Sequence, residues 1–430
     1  MSNALACAPW LNAMARVFDR ADAPIYLVGG AVRNPLMGLP LSDIDVCGPL
    51  RPEAVCALCE GTPVTARLRA AHFGTVELHL TDEGGARHMA EYTTFREDSY
   101  RCGHRPERVR FTTDIAVDAL RRDFSVNALY RRLREGALDE VIDPTGGLRC
   151  LEKGVLHTVT PNPDRVLGED GLRILRAARF QAELDLQPTP ELMDSLARHA
   201  PLLGDIALER LRDELHKILL ADLRYPTLKR RAPATASGLK TIASIGAWPY
   251  LFEDEPFDGR AVEALRHTDG CPNPLSLRMA LLMRGQSPAR AEAVMRRLRF
   301  SQRDTVLTVR CLTAQQEIAG GMLAAFAAAQ LGADALEAAR IAFAALGDAA
   351  ALERAEALDR SLAGAPLSLK ELAVSGEDLK PLFLQRGIPM REMGTLLHML
   401  WRMAVEKTAQ NTHDGLLAAA RRWADSVNVS

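Results

Sequence analysis

Residues 26–46 read YLVGGAVRNPLMGLPLSDIDV. An apolar run, Ile25 to Val28, ends at Gly29 and Gly30; a helix is expected to begin there with Arg33 near its first turn, and a second short strand follows carrying Asp43 and Asp45. Paired glycines at a strand-to-helix turn let backbone N–H groups approach a phosphate closely, and a helix N-terminus adds a favourable dipole. Asp43 and Asp45 are two residues apart, so on a strand both carboxylates project from one face, where together they hold a divalent cation that offsets their mutual repulsion. An isolated DxD is more often an exposed strand end. The glycine pair, the arginine and the DxD in this order point instead to metal-dependent phosphate chemistry.

Composition sets the frame around this stretch. The chain has 430 residues, 47% hydrophobic and 25% charged, which is ordinary for soluble globular proteins and suggests two to four structural units. Aromatics at 5% disfavour a chain built mainly of β-sandwiches or propellers. The net charge is -2, so any attraction to nucleic acid must come from local basic surface. Of the 53 basic residues only seven are Lys, an excess of Arg whose planar forks suit phosphates and base edges. The N-terminal MSNALACAPWLNAMARVF reads as an amphipathic helix and lacks the features of a signal peptide, and the longest uncharged stretch, Ile318 to Ala333, is too short to span a bilayer. A cytoplasmic location is expected. The eight cysteines include one CxxC, Cys56 and Cys59, with no second pair at zinc-finger spacing, and they read as buried or free thiols.

Short strand-like runs interleave with helical patterns over the first 145 residues or so: Ile25 to Val28, Ile44 to Val46, Gly74 to Leu80, Met89 to Thr94 and Leu138 to Ile142. From about Asp164 the pattern is helical almost throughout. The expected class is α+β, a head with a mixed sheet and helices followed by an elongated all-helical region. Its expected parts are a head over residues 1–150, a helical neck over 151–230, a helical body over 231–320 and a helical tail over 321–430. Breaks are expected at Pro188 to Pro190, Arg230 to Gly238, Asp269 to Pro274 and Gly364 to Pro366.

Further motifs follow in order. RRDFSVNAL runs from Arg121 to Leu129, DPTGG from Asp143 to Gly147, EDGLRILRAARF from Glu169 to Phe180, and LERLRDELHKIL from Leu208 to Leu219. On one ideal helix Asp170 and Arg173 lie roughly 60° apart, an acceptor beside a forked donor, while Leu172 and Leu175 turn toward a core. Each further three-residue step drifts, placing Arg176 nearer that face than Arg179.

With the opening stretch, these residues resemble the class II tRNA nucleotidyltransferase and bacterial poly(A) polymerase family of the DNA polymerase β-like nucleotidyltransferase superfamily. The resemblance is strong over about residues 24–220 and general beyond. It implies a template-independent RNA nucleotidyltransferase that adds CCA to the 3′ end of tRNA from CTP and ATP with release of pyrophosphate. It implies Mg²⁺ held by Asp43 and Asp45 and a third catalytic carboxylate, Glu91, with Glu77 as the alternative. Gly29, Gly30 and Arg33 would cradle the triphosphate, and Arg122 and Asp123 would lie against triphosphate and ribose. Asp170 and Arg173 would read the base edge in place of a template, and Arg176 and Arg179 would line the nucleotide or primer site. The DPTGG turn is a fold marker and the LERLRDELHKIL helix a buttress. Two positions depart from the pattern: Asn34 and Cys150 stand where the family usually has Asp.

Arg-rich stretches, Arg290 to Arg299 and Arg402 to Arg422, are equally tRNA backbone contacts or solvated helix faces. The residues yield no protein partner and no membrane contact. The rival readings are a bacterial poly(A) polymerase, a restricted CC-adding or A-adding enzyme, and a non-catalytic RNA or nucleotide sensor. The intact aspartates oppose the sensor. The full-length stretch Phe95 to Asp118 favours complete CCA addition, and resemblance ties its Tyr100 to Val109 segment to the change from CTP to ATP.

Overall fold

The computed structural model describes residues 8–41, 44–82, 84–99, 108–268, 270–321 and 323–426. Asp43 and residues 100–107 of the Tyr100 to Val109 segment therefore lie outside the described residues. Two compact units make up the chain, Met1–Glu255 and Pro256–Ser430. The four-part division expected from sequence has more parts, and its body, residues 231–320, spans the boundary between the two units.

Besides a short parallel pair, Val155–Leu156 with Gln187–Pro188, the described residues of the first unit include the strands β1 (Ile25–Val28), β2 (Asp45–Gly48), β3 (Thr65–Ala70), β4 (Thr75–Thr81), β5 (Arg87–Thr94), β6 (Arg96–Ser99), β7 (Arg108–Phe111), β8 (Tyr130–Arg134) and β9 (Ala137–Ile142). Seven of them form one sheet in the order β3-β4-β5-β2-β1-β8-β9, while β6 and β7 make a separate antiparallel pair. The sheet is mixed: β2 pairs parallel with β5, and every other pair is antiparallel.

Side-chain alternation explains why the sheet is covered on both faces. Ile25, Leu27 and Val46 enter one apolar cluster; Val28 and Cys47, their neighbours along the strands, enter another. The first cluster is completed by the helix Pro9–Arg20, whose Leu11, Met14, Ala15 and Phe18 recur at helical spacing and are buried. The second includes Phe95, Tyr130, Val159 and Val166. With full burial of such side chains contributing ~1.5–3 kcal/mol each, these clusters hold β1 and β2 rigidly in the middle of the sheet.

The DPTGG turn joins this sheet to helices. Asp143 accepts from the backbone N–H of Gly147 at 2.8 Å and of Leu148 at 2.9 Å, starting the helix Gly147–Lys153. A Cβ on Gly147 would fall 2.2 Å from the Ser125 carbonyl oxygen, so only glycine lets the turn lie against the RRDFSVNAL segment. Cys150, on the same helix, is a half-buried free thiol.

Beyond the sheet come the helices Pro163–Glu169, Leu172–Leu184, Pro190–His199, Leu208–Leu219 and Ala234–Ser244. The break expected at Pro188 to Pro190 is present, with Thr189 capping the helix that Pro190 opens. One expectation is corrected here: Asp170 and Arg173 do not share a helix. The first helix stops at Glu169, Asp170 is extended at φ -148°, ψ 107°, and the next helix starts at Leu172. Gly171 permits the junction, because a Cβ there would meet that of Leu202 at 2.8 Å.

The second unit is helical among its described residues. Its helices include Pro274–Leu282, Gln302–Gly320, Ala333–Leu346, Ala349–Leu362, Met393–Val405 and His413–Ser426. Leu277, Leu281, Leu312, Ala339, Phe343, Leu396 and Leu400 are buried in it. No described helix is long and apolar enough to cross a membrane.

Candidate active site

A cavity of about 330 Å³ opens in the first unit, lined by Gly30, Arg33, Asp45, Asn127, Arg176, Arg179, Phe180, Glu183, Lys217, Arg224 and Tyr225. Of the residues expected from sequence, it gathers Gly30, Arg33, Asp45, Arg176 and Arg179. Gly29 stands at the turn between β1 and the helix Gly30–Leu36, with φ +63°, a conformation that side chains resist. The turn thereby carries Arg33 from the strand end into the cavity wall.

Phe180 organises the cations. The guanidinium carbons of Arg33, Arg176 and Arg179 lie 5.2, 5.5 and 4.9 Å from its ring centre. Arg176 donates to Asp123 Oδ2 at 2.6 Å, and Asp123 also accepts from the Phe124 N–H at 2.8 Å. Burial pushes the Asp123 carboxyl up, but Arg176, that N–H and Arg173 outweigh it and hold the group at about 2. Arg179 donates to Glu214 at 3.1 Å and approaches Glu183 at 3.7 Å. Burial first, and then Arg176, lowers the Arg179 pKa, while burial raises that of Glu183. The wall is thus crowded with cations that an anion in the cavity would relieve.

Asp45 opens β2 and sits opposite Glu91 on β5, which in turn sits opposite Glu77 on β4. Glu77 is already engaged, by Arg69 at 2.5 Å and His79 at 3.1 Å. The Glu91 carboxyl is pushed above the usual range by burial, then by Asp45 and Glu77. Oxygen donors crowded by like charge are the donor set a hard divalent cation takes, so Asp45 and Glu91 fit a metal. Asp43 lies outside the described residues.

Several expected residues are not among those lining the cavity. Arg122 donates to Asp118 at 3.0 Å and to the Tyr130 hydroxyl at 2.8 Å, and Arg121 donates to the same carboxylate at 2.7 Å. Asp170 spends Oδ1 on the Leu172 N–H at 3.0 Å and Oδ2 on Arg210 at 3.0 Å. Arg173 donates to Val166 O at 2.7 Å, Glu169 at 2.8 Å and Arg121 O at 2.6 Å. Neither is among the residues lining the cavity. Arg179, which ideal-helix drift placed farther from Asp170 than Arg176, lines the cavity together with Arg176, as the resemblance implies; Asp170 lies outside the helix that carries both, so drift counted from it does not apply.

Sequence reasoning also missed residues. The LERLRDELHKIL helix is more than a buttress, since Lys217 lines the cavity and Glu214 holds Arg179. Asn127, Phe180 and Lys217 lay inside quoted motifs, and only their polarity or position against a neighbouring Arg could have signalled them. Arg224 and Tyr225, just past the last motif, carried no signal.

Comparison with known proteins gives consistent results. Residues 25–157 match the family described as poly A polymerase head domain, and residues 185–230 match one described as a probable RNA and SrmB-binding site of polymerase A. The chain is 30% identical to a CCA-adding enzyme of Levilactobacillus brevis over 410 residues, covering 94% of this chain and 95% of that relative. With the CCA-adding enzyme of Geobacillus thermodenitrificans it is 35% identical over 240 residues, 55% of this chain and 52% of the relative, so that match spans about half of the relative's length. Among solved structures it is similar to the CCA-adding enzyme of Bacillus stearothermophilus in complex with CTP, with 25% identity, a TM-score of 0.72 and 97% of each chain covered.

Proposed function

Because the chain belongs to the CCA-adding enzyme family of nucleotidyltransferases, we propose that it adds CCA to the 3′ end of tRNA, using CTP and ATP and releasing pyrophosphate. The observation that carries the reading is the cavity in which Gly30, Arg33, Arg176 and Arg179 meet Asp45. Cations in a buried wall next to a carboxylate row suit a triphosphate whose α-phosphorus lies beside a metal. The structural relative of 25% identity was solved with CTP, which agrees with that use of the site.

The family generally uses divalent metal ions, and here the ion is proposed to be Mg²⁺, held by Asp43 and Asp45 with Glu91 as the third carboxylate. When bound, it lowers the pKa of the primer 3′-hydroxyl and stabilises charge building on the α-phosphate. The chain's own residues do the rest. Gly29 and Gly30 bring backbone close to the triphosphate, and Arg33, Arg176 and Arg179 neutralise its oxygens. Asp123 acts through Arg176, which it holds toward the cavity, and Arg122 anchors Asp118 and Tyr130 beneath the sugar-phosphate region. Asp170 and Arg173 select the base by exchanging Arg210 and Glu169 for its amino group and ring acceptor. The helical tail, residues 321–430, is proposed to bind the tRNA, with Arg290 to Arg299 and Arg402 to Arg422 on its backbone.

Pyrophosphate release dependent on tRNA tests the reading. Release from CTP and ATP is expected with tRNA lacking CCA and not with mature tRNA; no release with either would overturn it.

A further inference from the structure

Arg33 differs from the other arginines around Phe180 in what it bonds. Arg176 is paired with the Asp123 carboxylate at 2.6 Å and Arg179 with Glu214 at 3.1 Å. Arg33, only 5% exposed, donates through Nε and Nη2 to the side-chain oxygen of Asn34 at 3.2 and 2.9 Å, and through Nη1 to that of Asn127. Among the described residues it has no carboxylate hydrogen-bond partner. A buried guanidinium whose hydrogen-bond acceptors are neutral, with Glu183 and Asp123 acting on it only through space, keeps more of its charge for whatever enters the cavity than its carboxylate-bonded neighbours do. Burial lowers its pKa to about 10, which leaves it protonated at neutral pH.

Asn34 is suited to this by both ends of its amide. Its oxygen faces a side chain that only donates. Its nitrogen donates to Pro40 O at 3.1 Å and to the Tyr225 hydroxyl at 2.9 Å. Because arginine cannot accept and a peptide carbonyl cannot donate, the amide has one consistent orientation, and every strong site on it is used. A carboxylate at this position could take the arginine but could not donate to Pro40; an aliphatic residue could do neither. Asn34 is 1% exposed, so solvent offers no substitute partner. It also links three parts of the site: Arg33, the segment leading to Asp45, and Tyr225, which also lines the cavity.

We infer that Asn34 is a positioning residue that aims Arg33 at the nucleotide's polyphosphate and, being neutral, leaves that arginine without a bonded counter-charge that would compete with it. The inference rests on the nucleotide-site reading given above. It specifies a charge effect as well as a steric one. A carboxylate at position 34 would sit within hydrogen-bond distance of Arg33 and cancel much of its pull on phosphate.

The test measures binding of CTP, cytidine and inorganic tripolyphosphate to the full chain in one magnesium-containing buffer. The proteins are wild type, Arg33→Ala, Asn34→Asp and the double variant. Asn34→Asp is expected to weaken CTP and tripolyphosphate about tenfold, leave cytidine unchanged, and add nothing further once Arg33 is Ala. In steady state its KM for CTP should rise far more than kcat falls. Tyr225→Phe, which removes only the hydroxyl that accepts from Asn34, gives a second reading: about threefold weaker tripolyphosphate, again only when Arg33 is present. If Arg33→Ala weakens tripolyphosphate while Asn34→Asp and Tyr225→Phe do not, the role of Asn34 is overturned and the site reading stands. If Arg33→Ala itself changes neither CTP nor tripolyphosphate, the site reading fails and the role of Asn34 fails with it.

Discussion

Asp45 stands directly opposite Glu91 across the parallel pair β2 and β5, and Glu91 stands directly opposite Glu77 across β5 and β4. The register of three strands therefore sets three carboxylate residues in one row across the sheet. Glu77 is engaged by basic neighbours that face it, Arg69 and His79. The Asp45 end of the row borders the cavity, where a bound divalent cation would relieve repulsion between the carboxylates.

Asp45→Ala is expected to abolish nucleotide addition, by roughly 10³-fold or more, without unfolding the protein, because the side chain is exposed and carries little packing. Asp43→Ala should behave alike. Turnover with Mg²⁺ measured beside circular dichroism checks this; near-normal turnover in either variant would sink the metal assignment.

The buried Asp118 makes stability depend on acid. Burial pushes its carboxyl up, yet Arg122 and Arg121 outweigh burial and bring it to about 2. A carboxylate depressed by folding contributes stability above its unfolded pKa and loses it as pH falls toward the folded one. Stability should therefore drop by about 2 kcal/mol from this group between the ordinary carboxylate range and pH near 2. Asp118→Asn should cost about 3 kcal/mol at neutral pH, since it takes the shared carboxylate from two partly buried cations, and should flatten that acid limb. Denaturant titrations over pH check both; an unchanged acid limb would contradict the pairing.

Two adjacent glycines should respond differently to alanine. Gly147→Ala drives a Cβ to within 2.2 Å of the Ser125 carbonyl oxygen and is expected to destabilise the first unit by about 2–3 kcal/mol. Gly146→Ala meets nothing within 4 Å and suffers only the strain of φ +80°, about 1 kcal/mol. Thermal unfolding of the two variants orders them; equal losses would remove the close approach as the reason for Gly147.

Legibility followed apolar patterning. Ile25 to Val28 was bounded correctly because its four apolar residues end in a glycine pair, and the strand around Asp45 followed from the same segment. Neither β3, TARLRA, nor β8, YRRLR, was named, because arginines interrupt the alternation and mimic a charged helix face. In the site, Arg33 is legible from the strand, glycine pair and helix that carry it, and Arg176 and Arg179 from the resemblance of their motif to the family's. Their carboxylate and amide partners are not, since Asp123, Glu214 and Asn127 reach them from segments distant in sequence. The break at Asp170 was hidden because helical periodicity runs through it unchanged, with Gly171 as its one local sign.

Base selection by Asp170 and Arg173 makes a kinetic prediction. Asp170→Ala should lower the kcat/KM preference for CTP and ATP over UTP by at least about tenfold while affecting triphosphate binding less. Arg173→Ala should weaken CTP and ATP together. Were the two residues only to brace helix ends through Arg210 and Glu169, both variants would lose stability and keep their CTP-to-UTP ratio, and that outcome would refute base reading.

The most direct measurement is the sequence of the product made on tRNA lacking its terminal CCA, with CTP alone, ATP alone, and both. The account predicts two cytidylates from CTP alone, negligible extension from ATP alone, and C, C, A followed by arrest when both are supplied. A run of adenylates from ATP alone, or arrest after CC in the presence of ATP, would contradict it.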